Sequence, residues 1–140
     1  MKRLVLISAM LWLVTPFALA KDINEKKLVR GDMMELDRAF VKLSKADGDV
    51  AEDLDIMIGK TITTNTLNFL RAYKKHKGTV KRLDALVGNF GPEYIDDFPR
   101  QSEEARKRIK ALKAVHDQKL ISLASECIKE LERELGVADH

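Results

Sequence analysis

Cysteine is nearly absent from this 140-residue chain, which has only Cys127. One cysteine cannot form an intramolecular disulfide, and zinc sites and c-type haem attachment both need closely spaced ligands. The histidines, His76, His116 and His140, are not closely spaced with one another or with the cysteine. The sequence therefore predicts no metal site and no cofactor.

Glycine-rich and catalytic motifs are also missing. The seven glycines form neither a phosphate-binding loop nor a Gly-x-Ser-x-Gly turn. Four aspartates suggest a calcium loop, but that loop needs glycine at its sixth position and glutamate at its twelfth. Counted from the first aspartate, the chain has glutamate and isoleucine there. We expect instead a solvated acidic turn before a helix, with a capping box of Asp49 and Glu52; the four aspartates are Asp47, Asp49, Asp53 and Asp55.

Candidate nucleophiles and bases are few. Cys127 lies on the apolar side of the last predicted helix, which predicts a buried, inert thiol. His116 follows an apolar line near a helix C-terminus, where a histidine interacts favourably with the helix dipole. No carboxylate pair or triad is suggested by the spacing of the residues. We therefore predict that the protein is not an enzyme.

No apolar run reaches the roughly 20 residues that span a bilayer as a helix. The longest run, from Leu4 to Val14, follows two basic residues and precedes the small-residue motif Ala18-Leu19-Ala20. This pattern is typical of a secretory signal peptide cleaved after Ala20. We predict a signal peptide over residues 1–20 and a protein that is periplasmic or secreted. No cysteine follows the cleavage site, so no lipid attachment or stable membrane anchor is expected.

Removal of the signal changes the charge balance. The signal contains Lys2 and Arg3, so 23 of the 25 basic residues remain, against 22 acidic residues. The net charge therefore falls to about +1. This balance gives no argument for a nucleic acid or an anionic membrane as partner. The remaining residues, 21–140, have the length of a single domain.

Apolar residues recur at helical spacing along the mature chain, and no segment alternates as a strand does. We predict an all-α fold, a compact antiparallel bundle of four to six helices. The long second helix has a weak middle between Gly59 and Asn65, because β-branched and side-chain-bonding residues follow the glycine, so either a kink falls there or two shorter helices meet near Asn65. The predicted helices cover about 24–46, 49–77, 79–87, 97–115 and 117–135.

A run of basic residues on the fourth predicted helix alternates with acids and apolar residues. This pattern favours a solvated helix face over a site for an anionic partner. The run consists of Arg106, Lys107, Arg108, Lys110 and Lys113.

One connecting segment, Phe90–Phe98, differs from the rest of the chain. It holds three of the six aromatics of the mature chain, and glycine, proline and acidic residues surround them. Aromatic side chains are enriched at protein interfaces, which makes the segment a candidate partner-binding site. Alternatively, Ile95 and the aromatics fold back onto the end of the bundle, or Phe90 and Phe98 pack while the rest faces outward. The candidate residues are Phe90, Glu93, Tyr94, Asp96, Asp97 and Phe98.

Two functional hypotheses remain. The first is an exported, non-enzymatic protein that acts by contact with another periplasmic or secreted protein, as an inhibitor, an immunity-type protein or an envelope accessory does. The second is a carrier of a small hydrophobic ligand inside the bundle, for which Met57, the threonine-rich kink near Thr63 and Cys127 would suit a loosely packed interior. The sequence does not specify the partner, the ligand, the oligomeric state or whether Cys127 pairs between chains.

Overall fold

The computed structural model describes residues 22–136, so the predicted signal peptide lies outside the described residues. This part of the chain holds seven α-helices and no strand, which confirms the all-helical prediction, with one helix more than the predicted four to six. None of these helices is long and apolar enough to cross a bilayer. The helices are α1 (Glu25–Val29), α2 (Met33–Leu43), α3 (Gly48–Thr64), α4 (Thr66–His76), α5 (Leu83–Gly88), α6 (Phe98–Lys113) and α7 (Ile121–Glu134), with a 3-10 turn at Pro92–Tyr94.

Helix α3 is the central element of the fold. It contacts α1, α2, α4, α5 and α6. Its side chains Leu54, Ile58 and Ile62 have no solvent exposure, and their spacing of four residues places them on one face. A helix surrounded in this way needs a wide buried surface, which explains why Gly59 and Thr61, on the two sides of that face, are buried as well.

The predicted helix over residues 24–46 is two helices, α1 and α2. Gly31 adopts a φ of 77°, a left-handed conformation that ends α1 and that other residues rarely adopt. The Asp32 side chain then accepts a hydrogen bond of 3.1 Å from the Glu35 backbone N–H and caps α2. Gly31 is therefore a chain break, where the sequence indicated only a weakened helix.

Of the two alternatives for the weak middle of the second predicted helix, the structure has two helices that meet at Asn65 rather than one kinked helix. Helix α3 ends at Thr64, α4 begins at Thr66, and the Asn65 side chain accepts a hydrogen bond of 3.2 Å from the Asn68 backbone N–H. Asn65 thus caps the second helix, as asparagine commonly does.

Three predicted helix starts are wrong. Helix α3 begins at Gly48, one residue before the predicted start. Asp49 therefore lies inside the helix, and the capping box of Asp49 and Glu52 does not form. The N-cap residue is Asp47, whose side chain makes no cap hydrogen bond. Helices α5 and α7 begin four residues later than predicted. Before α7, Asp117 accepts a hydrogen bond of 2.9 Å from the Lys119 backbone N–H, a local turn that delays the helix.

Helices α5, α6 and α7 form one end of the fold. Helix α6 packs on α7 and α3, and α5 packs between α3 and α7. The Phe90–Phe98 segment connects α5 with α6, and its 3-10 turn contacts α6. The candidate site is therefore attached to the helices that enclose this end of the core.

Candidate functional site

Two left-handed residues set the path of the Phe90–Phe98 segment. Gly91 has a φ of 116°, and Asp96 has a φ of 61°, which is uncommon for a residue other than glycine. Between them, the Tyr94 and Ile95 backbone N–H groups donate to the carbonyls of Gly91 and Pro92, at 3.1 and 3.2 Å. The segment is thus a defined double turn.

A row of four side chains holds the segment against α6. The Arg108 guanidinium lies 4.6 Å from the centre of the Phe90 ring, and the Phe90 ring lies 5.8 Å from the Tyr94 ring at a tilt of 54°. The Arg100 guanidinium lies 4.6 Å from the centre of the Tyr94 ring. Cation–π and tilted aromatic contacts are both favourable. Two arginines of one helix therefore enclose two of the predicted aromatics.

Hydrogen bonds from α6 also anchor the backbone of the segment. Gln101 Nε2 donates to the Tyr94 carbonyl at 2.6 Å, and Arg100 Nη1 donates to the Glu93 carbonyl at 3.4 Å. The Asp97 side chain accepts from the Arg100 backbone N–H at 3.2 Å and caps α6. Two of the predicted contact residues, Tyr94 and Asp97, thus also stabilise the segment itself.

The structure divides the apolar side chains of the segment into two groups. Phe90 packs against the core and Tyr94 is half-buried, whereas Ile95 and Phe98 are 68% and 72% exposed. The alternative in which Phe98 packs with Phe90 is therefore wrong, since Phe98 is the first residue of α6 and points largely into solvent. Ile95, outside the predicted contact set, is the residue that sequence reasoning missed, and its signal was an apolar residue within an acidic turn.

The acidic residues of the segment differ in their ion pairs. Asp97 pairs with Arg100 at 3.8 Å and is half-buried. Glu93 and Asp96 are exposed and form no ion pair with any residue in 22–136. Two carboxylates therefore remain available to an external cation.

A groove of about 320 Å³ lies beside the segment. It runs between the start of α6 and the ends of α5 and α7. Aromatic and aliphatic side chains supply much of its lining, and polar groups supply the rest. The lining residues are Gly88, Phe90, Phe98, Gln101, Ser102, Ala105, Glu134 and Leu135.

Arg108 does not belong to a solvated basic face, which corrects that part of the prediction. Its side chain is 3% exposed, and Nη1 donates to the Val87 carbonyl at 2.6 Å. Burial lowers the Arg108 pKa to about 10, so the guanidinium stays charged at neutral pH. The signal was its spacing, three residues after Ala105 and four before Leu112, both of which are buried.

Asp55 does not belong to a solvated acidic turn either. Its side chain is fully buried, and Arg82 Nη2 lies 3.0 Å from Oδ2 in an ion pair. Neither carboxylate oxygen has a well-aligned hydrogen bond within the described residues. Burial raises the Asp55 pKa to about 6, against the opposing effect of Arg82. The other aspartates of the turn, Asp47, Asp49 and Asp53, are exposed.

The remaining titratable candidates do not converge on a cleft. His76 Nε2 lies 2.5 Å from Asp37 Oδ1, and hydrogen bonds from Lys75 and His76 lower the Asp37 pKa. His116 is exposed, beyond the end of α6. The predicted burial of Cys127 is confirmed, and desolvation raises its pKa to about 12. No three His, Cys, Asp or Glu residues among 22–136 are grouped as a metal site would require.

The residues named for a ligand carrier also lie apart. Cys127 is in the core and Met57 is partly buried against it, whereas Thr63 is exposed and its hydroxyl donates to the Lys60 carbonyl of its own helix. Of the threonine-rich segment, Thr63 thus faces outward, whereas Thr61 is buried and its hydroxyl donates to the Ile58 carbonyl at 2.6 Å.

Comparisons of the chain with protein-family models, with curated proteins and with solved structures find no match. The functional argument for this chain therefore depends on the geometry of its own side chains.

Proposed function

We propose that this protein, once its signal peptide is removed, acts without catalysis by binding another periplasmic or secreted protein through the Phe90–Phe98 segment. The observation that supports this proposal is the exposure of Ile95 and Phe98 on a segment whose backbone is anchored by α6. An inhibitor, an immunity-type protein and an envelope accessory protein all act in this way. The partner would then share the compartment to which the signal peptide sends this chain.

Apolar burial and low entropy loss both favour binding at this segment over binding at an ordinary part of the surface. Burial of one large apolar side chain contributes roughly 1.5–3 kcal/mol, so Ile95 and Phe98 together could supply a substantial share of a binding energy. A segment already held by Arg100 and Gln101 loses little conformational entropy on binding. Exposed apolar residues are common singly, and the distinguishing feature here is that two occur on one ordered acidic segment.

Charge indicates the kind of surface that fits. Glu93 and Asp96 are exposed, and neither pairs with a cation of residues 22–136. The partner therefore has basic residues around an apolar patch, and these charges guide the encounter more than they add affinity. Neither a nucleic acid nor an anionic membrane surface fits this acidic segment.

Site-specific photo-crosslinking tests the proposal in producing cells. Benzoylphenylalanine replaces Phe98 in one sample and Met34 in the control, because Met34 is 69% exposed on α2 and lies outside the segment. We expect one dominant protein crosslinked at position 98 and not at position 34. The affinity of that purified protein should fall at least tenfold for Ile95→Ser with Phe98→Ser and stay unchanged for Met34→Ser.

Two outcomes would overturn the proposal. One is the absence of any specific protein at position 98. The other is an equal loss of affinity for the segment variant and for Met34→Ser. Circular dichroism of each variant checks that its helices remain folded.

A further inference from the structure

The groove beside the Phe90–Phe98 segment lies where two helices end. Gly88 is the last residue of α5 and Glu134 is the last residue of α7, and both line the groove. The C-terminal end of a helix carries partial negative charge and favours a nearby cation. Phe98 also lines the groove at the positive end of α6, but the Asp97 carboxylate caps that end. The Arg108 guanidinium already binds the Val87 carbonyl at the end of α5, so the end of α7 is the helix terminus that favours a positive charge in the groove.

Glu134 adds a full negative charge at this point. Its Cγ lies 3.4 Å from the position that a Cβ would take at Gly88, so the side chain lies across the end of α5. Glu134 has no ion pair within the described part of the chain, and its neighbour Arg133 pairs with Glu130 at 2.5 Å. The Glu134 carboxylate lies at the C-terminal end of its own helix, where a cation is more favourable than an anion, and a cation that joins it relieves this repulsion.

The walls of the groove suit a long apolar stem. Phe90, Phe98, Ala105 and Leu135 contribute carbon surface, and the groove holds about 320 Å³. Lysine and arginine both combine such a stem with a charged head. The planar guanidinium of arginine also pairs with a carboxylate through two hydrogen bonds and stacks on aromatic rings, which an ammonium does less well.

From the unpaired Glu134, the end of α7 and the aromatic walls, we infer that this groove receives an arginine side chain of the partner protein. The inference rests on the proposed function and gives the basic partner surface a defined anchor. In the complex, the guanidinium pairs with Glu134, and its stem lies against Phe98 and Leu135. The exposed Ile95 then packs on apolar surface of the partner next to that arginine.

A titration followed by backbone amide NMR tests the groove without the partner. The probe is N-acetylarginine amide, and the matched neutral probe is N-acetylcitrulline amide, which has the same shape. We expect saturable shifts at Gln101, Ser102 and Leu135 with the arginine probe, and at least about tenfold weaker binding of the citrulline probe. Glu134→Gln should weaken binding of the arginine probe to the level of the citrulline probe. Glu132→Gln, which removes the same charge from the same helix, should not.

Two results would overturn the inference. One is equal binding of the arginine and citrulline probes, and the other is the absence of groove shifts at tens of millimolar arginine probe. The affinity of the crosslinked partner for two variants distinguishes failure of this inference from failure of the proposed function. If Ile95→Ser with Phe98→Ser weakens that partner and Glu134→Gln does not, the arginine anchor is wrong and the contact function stands. If Phe98 crosslinks no protein, the contact function itself fails.

Discussion

Gly59 of α3 lies directly against Arg108 of α6. A Cβ atom at position 59 would be 3.0 Å from Arg108 Nη1 and 2.4 Å from the Leu86 carbonyl oxygen. The missing side chain therefore lets α5 and the buried guanidinium approach the central helix. Arg108 in turn stacks on Phe90, so the packing of α3 is continuous with the anchored side of the Phe90–Phe98 segment.

Gly59→Ala should destabilise the fold strongly. The added methyl group meets the Leu86 backbone oxygen, which cannot move as a flexible side chain can. Overpacking of this kind costs about 1–3 kcal/mol, and a contact with backbone places the change at the upper end. Urea unfolding measures the loss of unfolding free energy. The matched control is Gly78→Ala, because a Cβ at Gly78 meets nothing within 4 Å; an equal loss in both variants would contradict this account.

Arg108→Ala should destabilise the protein more than Arg108→Met. The alanine variant leaves a cavity where the long stem packed, at a cost of about 3 kcal/mol. Methionine fills most of that space and removes a buried charge that has no acidic partner within 4 Å in the described residues. Urea unfolding gives both values, and amide hydrogen exchange reports whether the Phe90–Phe98 segment loosens. A larger loss for methionine than for alanine would contradict this interpretation.

Periodicity predicted the fold class because the apolar spacing of the helices is a local property of the sequence. Local residue types indicated a weak point near Asn65 and a helix start near residue 97, and the structure places the caps Asn65 and Asp97 there, because capping depends on a residue and its next three neighbours. The split at Gly31 was underestimated, because one glycine weakens or ends a helix according to the tertiary contacts around it.

The burial of Arg108 and Asp55, unlike the fold class, depends on more than local spacing. Both are charged residues in charged stretches, and their burial depends on which helix lies opposite. For Arg108 that helix is α3, through Gly59, and for Asp55 the partner is Arg82 before α5. These are long-range pairings, whereas spacing along one helix shows only which face points inward. Phe98 is exposed two residues after Asp96, whose φ of 61° is a conformation that aspartate adopts more often than most residues but that the sequence does not assign to this one position.

The stability of the protein should depend on pH through Asp55. Its pKa is about 6 in the folded chain, against 3.8 for an ordinary aspartate, because burial disfavours the charged form. The folded state therefore binds the proton more tightly, so this contribution is fully present below pH 3.8 and is lost as the pH rises through 6. A difference of about two pKa units corresponds to roughly 3 kcal/mol.

Asp55→Asn removes this titration and isolates the effect. Between pH 8 and pH 4, the wild type should gain roughly 2.5 kcal/mol of unfolding free energy relative to Asp55→Asn. Urea unfolding at several pH values measures the difference. Asp53→Asn is the control, because Asp53 is exposed on the same helix and should follow the wild-type profile. A constant difference between wild type and Asp55→Asn at all pH values would contradict the raised pKa.

Cys127 should react with thiol reagents only when the protein unfolds. Its side chain has no solvent exposure and its pKa is raised to about 12, so the reactive thiolate is scarce and inaccessible. In native buffer at pH 8 we expect slow labelling by a chromogenic disulfide reagent at the rate of unfolding, and no disulfide-linked dimer on non-reducing gels. In concentrated urea, labelling should be complete within minutes.

The matched control places a thiol on the same helix by Ser125→Cys with Cys127→Ser. Ser125 is exposed, so its cysteine replacement should label at once in native buffer. Native labelling of Cys127 as fast as that of the control would show that α7 opens readily and that the core around it is looser than the packing indicates.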